Sequence, residues 1–354
     1  MNKNPIDKLI LRRVSWLADS GPDDDIAIST RIRLARNLKD TPFPICASDE
    51  DLRKSVLAIQ LASEKAKSLK KPFFMEMQKL NDLDRAILFE RRLVSLDFSI
   101  RPKLSALIVS QKEDLSVMIN EEDHIRMQAI HSGLQLMDVW NRINEFETSI
   151  SKQIPFAFDQ NLGFLTSCPT NVGTGMRASV MLHLPGLALA NQVQPLIQGV
   201  NKLGLAVRGI FGEGTDNLGN LCQISNQSTL GESEVDIIKR LEMVISQIIN
   251  HEKNARSKLL ETDKNLLLDH IGRAYGSLKY AYVISSKEAL NSLSMLRLGV
   301  DMGVIKSVDI HTVNELFILA QPAHLQKYAG KALSQKERDE MRANMIREKL
   351  QKNL

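Results

Sequence analysis

The sequence predicts an α+β domain over residues 1–255 followed by an all-helical domain over 256–354. Three observations carry that prediction. Apolar runs at 104–111 and 115–120 flank a polar Lys112-Glu113-Asp114 turn and read as a β-hairpin. From residue 232 to 250, Val235, Ile238, Leu241, Ile245 and Ile248 recur at three- and four-residue spacing, the apolar stripe of an amphipathic helix. Residues 251–264 then turn charged, as a connecting stretch does, and almost everything beyond them has the helical period. In that last part Ser285-x-x-Glu288 and Ser334-x-x-Glu337 read as capping boxes that open two helices.

The remaining elements follow in chain order. Ser29-Thr30-Arg31-Ile32-Arg33 alternates, so as a strand it puts both guanidinium groups on one face. After the hairpin, Ile125, Leu134, Met137, Trp140 and Ile143 fall on one apolar stripe and predict a long helix, for which Asp123 is a candidate cap. A strand-like run at 178–182 follows a glycine turn. Two further strand candidates, 205–211 and 221–225, are joined by a loop rich in Gly and Asp. No internal repeat or low-complexity segment interrupts this order.

Composition bounds the function classes. A chain of 354 residues is long enough for two domains with separate cores, and 43% hydrophobic with 25% charged residues describes an ordinary globular protein. The net charge of +4 demands neither nucleic acid nor membrane as a partner, though it suits acidic or phosphorylated ones. Residues 1–25 lack the apolar core of a signal peptide, and the longest apolar stretches are broken by Pro185, Pro195 and polar residues. Cys46, Cys168 and Cys222 are too scattered for a zinc cluster or a secreted disulfide framework, so a reducing cytoplasm fits best.

The densest chemistry lies in Cys168-Pro-Thr-Asn-Val-Gly173-Thr-Gly175-Met-Arg177, which sets a thiol, two glycines and an arginine within ten residues. Two glycines in a loop are ordinary turn chemistry; beside a thiol and an arginine they also suit a loop that approaches a ligand closely. Arg31, Arg33, Arg126, Arg177 and Arg208 are candidate phosphate ligands, because guanidinium is a planar fork of donors that keeps its charge. Each alone reads as a surface charge; as a set they need a fold that gathers them. Acidic clusters accompany them in Asn-Glu-Glu-Asp-His (120–124) and Gly-Glu-Gly (212–214). These are either solvated loop entries or, at Glu122 and Glu213, a grip on a cationic acceptor. His124 reads as structural.

Taken together these segments resemble the ATP:guanido phosphotransferases, the family of arginine and creatine kinases, over residues 20–255 with every motif in the family's order. The resemblance implies a phosphagen-kinase-like antiparallel sheet flanked by helices, with nucleotide and acceptor on its concave face. It implies ATP with Mg²⁺ carried by the nucleotide, bound by Ser29, Arg31, Arg33, Arg92, Arg126, Arg177, Ala178, Ser179, Arg208, Gly209 and Gly212. Glu122, Glu213 and Cys168 would surround the acceptor guanidinium, with Glu213 the general base, Glu122 its partner and Cys168 a thiolate that orients and tunes the acceptor. Arg92 stands where relatives usually carry a histidine near the adenine.

Within the family the chain is most similar to the McsB-type protein arginine kinases. The Ser-Thr-Arg segment lies almost at the start, so the helical N-terminal domain of the metabolic enzymes is expected to be missing and the acceptor site open to a protein side chain. Residues 208–215 and 223–227 also look like that branch. Arg338-Asp339-Glu340-Met341-Arg342-Ala343 resembles its RDxxRA motif, which implies a regulatory phosphoarginine site of Arg338, Asp339, Arg342 and Ala343 in a helical domain that also dimerises. Arg338 and Arg342 are four apart and would share a helix face; a charged surface helix has the same pattern. The branch further implies arginine-bearing protein substrates, a zinc-finger activator and a Clp-type unfoldase and protease as partners, in the bacterial cytoplasm. A kinase for free arginine or another small guanidine, and a catalytically silent phosphoarginine-binding regulator, are the competing readings.

Overall fold

The computed structural model describes residues 5–18, 20–101, 103–209 and 218–351. Ten strands are placed in it: β1 Ala27–Arg36, β2 Phe73–Glu76, β3 Ala106–Val109, β4 Leu115–Ile119, β5 Ile125–Ser132, β6 Phe158–Asp159, β7 Gly163–Phe164, β8 Met176–His183, β9 Leu205–Gly209 and β10 Leu221–Asn226. Eight of them form one antiparallel sheet in the order β2-β3-β4-β5-β1-β8-β10-β9, and β6 pairs with β7 separately. The longest strand, β1, is central. It therefore fixes the position of everything the sheet displays.

Alternation divides the sheet into an apolar and a polar face. Ile32 and Leu34 of β1, Ile125, Met127 and Ala129 of β5, Ala178 and Val180 of β8 and Ile224 of β10 are fully buried on one face. They meet Val139, Ile143 and Phe146 of the helix Leu136–Ser151 and Ile238, Leu241 and Ile245 of the helix Glu234–Thr262 in one core. Complete burial of such side chains stabilises by roughly 1.5–3 kcal/mol each. The opposite face carries Arg31, Arg33, Arg126 and Arg177 near its centre and elsewhere packs against other elements, through Ile130, Met181, Leu107 and Met118.

The predicted hairpin is present as β3 and β4, and the strand candidates at 205–211 and 221–225 appear as β9 and β10. The expected helix from 125 onward is instead a strand followed by a helix. Residues 125–132 alternate with period two, Ile125, Met127 and Ala129 inward against Arg126 and Gln128 outward, so β pairing to β1 and β4 wins there. The helix begins at Leu136. Asp123 consequently caps no helix but sits at the tip of the β4–β5 hairpin. The charged stretch expected to connect the domains is helical too. Ser233 caps the helix Glu234–Thr262, which runs through residue 255 before the helix Lys264–Tyr280 begins. In this helix Val235 is exposed, whereas Ile238, Leu241, Ile245 and Ile248 are buried.

Beyond 262 the chain is helical as expected. Ser285 caps the helix Ser286–Asp301 by accepting from Glu288 N–H. The Ser334–Glu337 capping box is reciprocal, Ser334 N–H donating to Glu337 and Glu337 N–H to Ser334. These helices pack onto the sheet and its N-terminal flank rather than standing apart. Met181 and Leu221 share a core with Leu290, Leu293 and Leu316. Arg297 donates to the Asp24 carbonyl at 2.6 Å, and Lys327 bridges Asp7 and Asp84. Among the described residues no helix is long and apolar enough to cross a membrane.

Candidate active site

Strand register gathers the predicted arginines. Arg33 of β1 lies directly opposite Arg177 of β8, and Arg31 opposite Ser179. Ala35, two residues beyond Arg33 on the same face, pairs with Arg126 of β5. Across β10, Ser225 pairs with Ser179 and Gln223 with Arg208 of β9. All five arginines therefore project from the polar face, in a band across β5, β1, β8 and β9. Arg31 Nη2 donates to Gln223 Oε1 at 2.8 Å, and Ser179 Oγ donates to the Arg31 carbonyl. Ser29 lies on the same face, buried.

The charges in this band oppose one another. Burial, then repulsion from Arg92, Arg126 and Arg177, pushes the Arg31 guanidinium down to about 9. Burial, then repulsion from Arg31, Arg126 and Arg177, holds Arg33 well below the ordinary arginine range, and burial brings Arg92 to about 10. Arg33 Nε is buried without a hydrogen-bond partner in the structure. A site of this kind is built for a polyanion, whose oxygens would satisfy the donors and cancel the repulsion. Arg126 differs: burial alone would lower it, but the Glu121 carboxylate at 2.7 Å holds it above its usual value.

Besides a cavity of about 600 Å³ that Arg177 and Arg208 themselves line, two cavities border the band. One, of about 360 Å³, is walled by Arg92, Met181, Leu221, Trp16, Phe317 and Ile318, where the sheet meets the C-terminal helices. The other, of about 770 Å³, opens around Glu121, Glu122, Asp97, Arg126 and Ser167, beside the hairpin tip. Asp123 ties this tip to the cysteine loop. Its Oδ1 accepts from Ser167 N–H at 2.7 Å and from Asn37 Nδ2 at 2.6 Å, while Ser167 Oγ donates to the Glu122 carbonyl. His124 N–H donates to Asn37 Oδ1, and burial lowers the pKa of that imidazole. The histidine is structural here, as its sequence context suggested.

Cys168 opens the short helical turn Pro169–Asn171, with its Sγ 3.0 Å from Thr170 Oγ1. The glycines are required by close backbone approach. A Cβ on Gly173, whose φ is +110°, would lie 2.2 Å from the Thr229 carbonyl oxygen. On Gly175 (φ +59°) it would lie 2.5 Å from Arg36 Nη1 and 2.7 Å from the Ala35 carbonyl oxygen. Gly173→Ala should cost about 2 kcal/mol or more in urea unfolding, because the Thr229 carbonyl and the positive φ leave no room for a methyl group; unchanged stability would contradict this reading.

Two family models match the chain from residue 55 onward. The model described as ATP:guanido phosphotransferase, C-terminal catalytic domain, matches residues 55–255, and the one described as protein-arginine kinase McsB C-terminal domain matches 264–353. The chain belongs to the ATP:guanido phosphotransferase family. Relatives named protein-arginine kinase come from Geobacillus sp. (46% identical, covering 95% of this chain and 93% of the relative), Brevibacillus brevis (44%, 95% of each) and Bacillus cereus (45%, 98% of each). Lombricine kinase has the same fold, with a TM-score of 0.60 at 23% identity over 70% of this chain and 71% of that one. The chain is thus a guanidino phosphotransferase of the protein-arginine kinase type, a family that uses ATP.

Some expected site residues lie elsewhere. Glu213 and Gly212 fall outside the described residues. Ala178 turns into the core and its N–H is taken by Asn226 Oδ1 at 2.8 Å; Gly209 pairs with Cys222, also on the core side. Cys222 itself is a packed thiol, pushed up to about 12 by burial and Glu252. In the C-terminal motif, Arg342 and Arg338 do not present a common outer face. Arg342 is 1% exposed, its Nε donating to the Ala320 carbonyl and its Nη1 to the Ile284 carbonyl and to Asp339. Ala343 is packed in the helical core. Four-residue spacing aligns side chains on a helix, but here that face is turned inward at Arg342.

Other positioning residues escaped the sequence reading. Arg36 is fully buried, donates to Glu147 at 2.6 Å and to the Thr174 carbonyl at 2.9 Å, and lies 3.5 Å from the centre of the Phe164 ring. It braces the cysteine loop from beneath. Its signal was an arginine at an inward position of the run Ile32, Leu34, Arg36, where the pattern demands an apolar residue. The Thr229 hydroxyl lies 2.7 Å from the Val172 carbonyl and 2.9 Å from that of Thr170, and pins the same loop. Asp97 and Glu121 add carboxylates to the larger cavity.

Proposed function

We propose that the protein transfers the γ-phosphoryl group of ATP to arginine side chains of other proteins, with the acceptor entering beside Glu122 and Cys168. The observation that carries this reading is the junction of a band of mutually repelling arginines with an open, carboxylate-lined cavity at Arg126. The relatives' name, protein-arginine kinase, supports the same acceptor.

On this reading Arg31, Arg33, Arg126, Arg177 and Arg208 hold the phosphates and absorb charge that develops as the P–O bond to ADP breaks. Mg²⁺, held by phosphates and water, would assist that neutralisation. The acceptor guanidinium is cationic, delocalised and weakly nucleophilic. Glu122 orients it from the hairpin tip and Cys168 from the opposing loop, while Glu213 takes the proton as the N–P bond forms. The adenine takes the smaller cavity beside Arg92. Met181→Trp should therefore fill that cavity and raise the KM for ATP about tenfold or more while leaving acceptor KM near its original value; an unchanged ATP KM would remove the base from that cavity.

Arg338 and Asp339 form the reachable part of a phosphoarginine site, and Arg342 anchors it from within. Arg338→Ala should weaken binding of free phosphoarginine with stability unchanged within about 0.5 kcal/mol. Arg342→Ala should lower stability by about 3 kcal/mol or more, because Asp339 and two carbonyls lose their partner. Equal stability of the two variants would refute this division of roles. The phosphorylated proteins would be marked for a Clp-type unfoldase and protease in bacterial quality control, with a zinc-finger activator assisting a cytoplasmic homodimer.

The deciding experiment offers ATP with either free arginine or an unfolded protein, and maps phosphosites without acid, which hydrolyses the P–N bond. Phosphorylation of the protein is the expected result. Turnover of free arginine alone would overturn the proposal.

A further inference from the structure

The larger cavity is bigger than its acceptor needs. At about 770 Å³ it falls in the range of pockets that take ligands many times larger than one guanidinium group. Its inner wall is charged, with Asp97, Glu121 and Glu122 outnumbering Arg101 and Arg126, and Arg126 is already paired with Glu121. Its outer wall is not. Phe43, Pro44 and Ile45 line it from one side, and Ile45 is 85% exposed.

On the other side lies the helix Leu96–Ile100, preceded by its cap Ser95. Asp97 and Arg101, four apart, line the cavity. Leu96 and Ile100, also four apart, form the adjoining stripe, 54% and 61% exposed. Isolated exposed apolar residues are common; here Ile45 lines the cavity, and Leu96 and Ile100 stand exposed on the short helix whose Asp97 and Phe98 line it, which is the pattern of an interaction surface. The aromatic wall is fixed rather than loose, since the Phe43 ring meets the buried His124 ring edge-on at 6.3 Å. Through His124 and Asn37 it is joined to the same hairpin that carries Glu122.

We infer that this rim is a docking surface for the protein substrate, and that it selects arginines flanked by large apolar residues in an extended segment. The inference rests on the acceptor assignment made above. Its occupant follows from continuity with that site: the carboxylates call for a cation, and the cation arrives with its own chain. In an extended polypeptide, side chains two positions apart point the same way about 7 Å apart. An arginine directed to Glu122 thus places residues at i−2 and i+2 toward the rim, where Ile45 on one side and Leu96 and Ile100 on the other would bury them.

Two peptides of equal length and charge, one with Leu and one with Ser at both the i−2 and i+2 positions of a single arginine, test the proposal on the full-length protein. The leucine peptide should have a kcat/KM higher by about tenfold, carried by KM. In the Ile45→Ser, Ile100→Ser double variant the ratio should fall to near one, with the KM for ATP unchanged. Both substitutions are at exposed positions, where stability changes little. Equal rates on the two peptides, or a preference that survives the double variant, would overturn the docking surface alone. Turnover of free arginine with neither peptide accepting phosphate would overturn the acceptor assignment and the docking surface with it.

Discussion

Replacing Arg33 by methionine should lower kcat/KM for ATP by about 10²- to 10³-fold while leaving the nucleotide-free protein as stable as before, or more so. Arg33 faces Arg177 across the β1–β8 pair and has a buried Nε with no hydrogen-bond partner. Burial and the charges of Arg31, Arg126 and Arg177 all act against its ionised form, and only Glu121 acts for it. Methionine keeps much of the volume and removes a charge that burial and the neighbouring arginines oppose. Thermal melts with and without ATP separate the two effects. The original protein should gain a large stabilisation from ATP, and the variant little. A variant that melts several degrees lower without nucleotide would show that Arg33 supports the fold, and would sink this account.

Glu122→Gln should reduce kcat by about 10²- to 10⁴-fold and abolish the acidic limb of its pH dependence. Partial burial, helped by Asp123, Glu121 and Asp97 and opposed by Arg126, raises the Glu122 carboxyl above the usual carboxylate range. The ionised form is the one that grips a guanidinium. Activity should therefore be full above this raised pKa and decline as pH falls through it, at a higher pH than an ordinary glutamate would give. Removing the repulsion with Asp97→Asn should move that limb to lower pH, since Asp97 is one cause of the rise. A limb unmoved by both substitutions would mean that another group governs it.

The site was legible where chemistry is local. The alternation of Ser29 to Arg33, the glycines of the cysteine loop and the acidic run at 120–124 each reveal their character within a few residues. The fold confirms the shared face of Arg31 and Arg33, and Gly173 and Gly175 show why no side chain is tolerated there. Prediction failed where a short period was read as a longer one. Of the stripe Ile125, Leu134, Met137, Trp140 and Ile143 only Ile125 falls within 125–132, where Ile125, Met127 and Ala129 keep the strand period and pairing with β1 and β4 on both sides makes the run a strand. At Arg342 the gap has another cause: its spacing from Arg338 is legible in the sequence, but spacing does not say which face of a helix is buried.

The sequence alone determined which arginines, carboxylates and thiols this protein offers, and in what order along the chain they come. That follows from side-chain chemistry and from the two-residue period of a strand, both of which are local. Only the tertiary structure decided that arginines from four strands meet on one face, that Asp123 holds the Glu122 tip against the cysteine loop, and that Arg342 lies inside while Arg338 is reachable. Those outcomes depend on strand register and on which helix face finds a core. Both are set by burial summed over residues far apart in the chain, which no local pattern records.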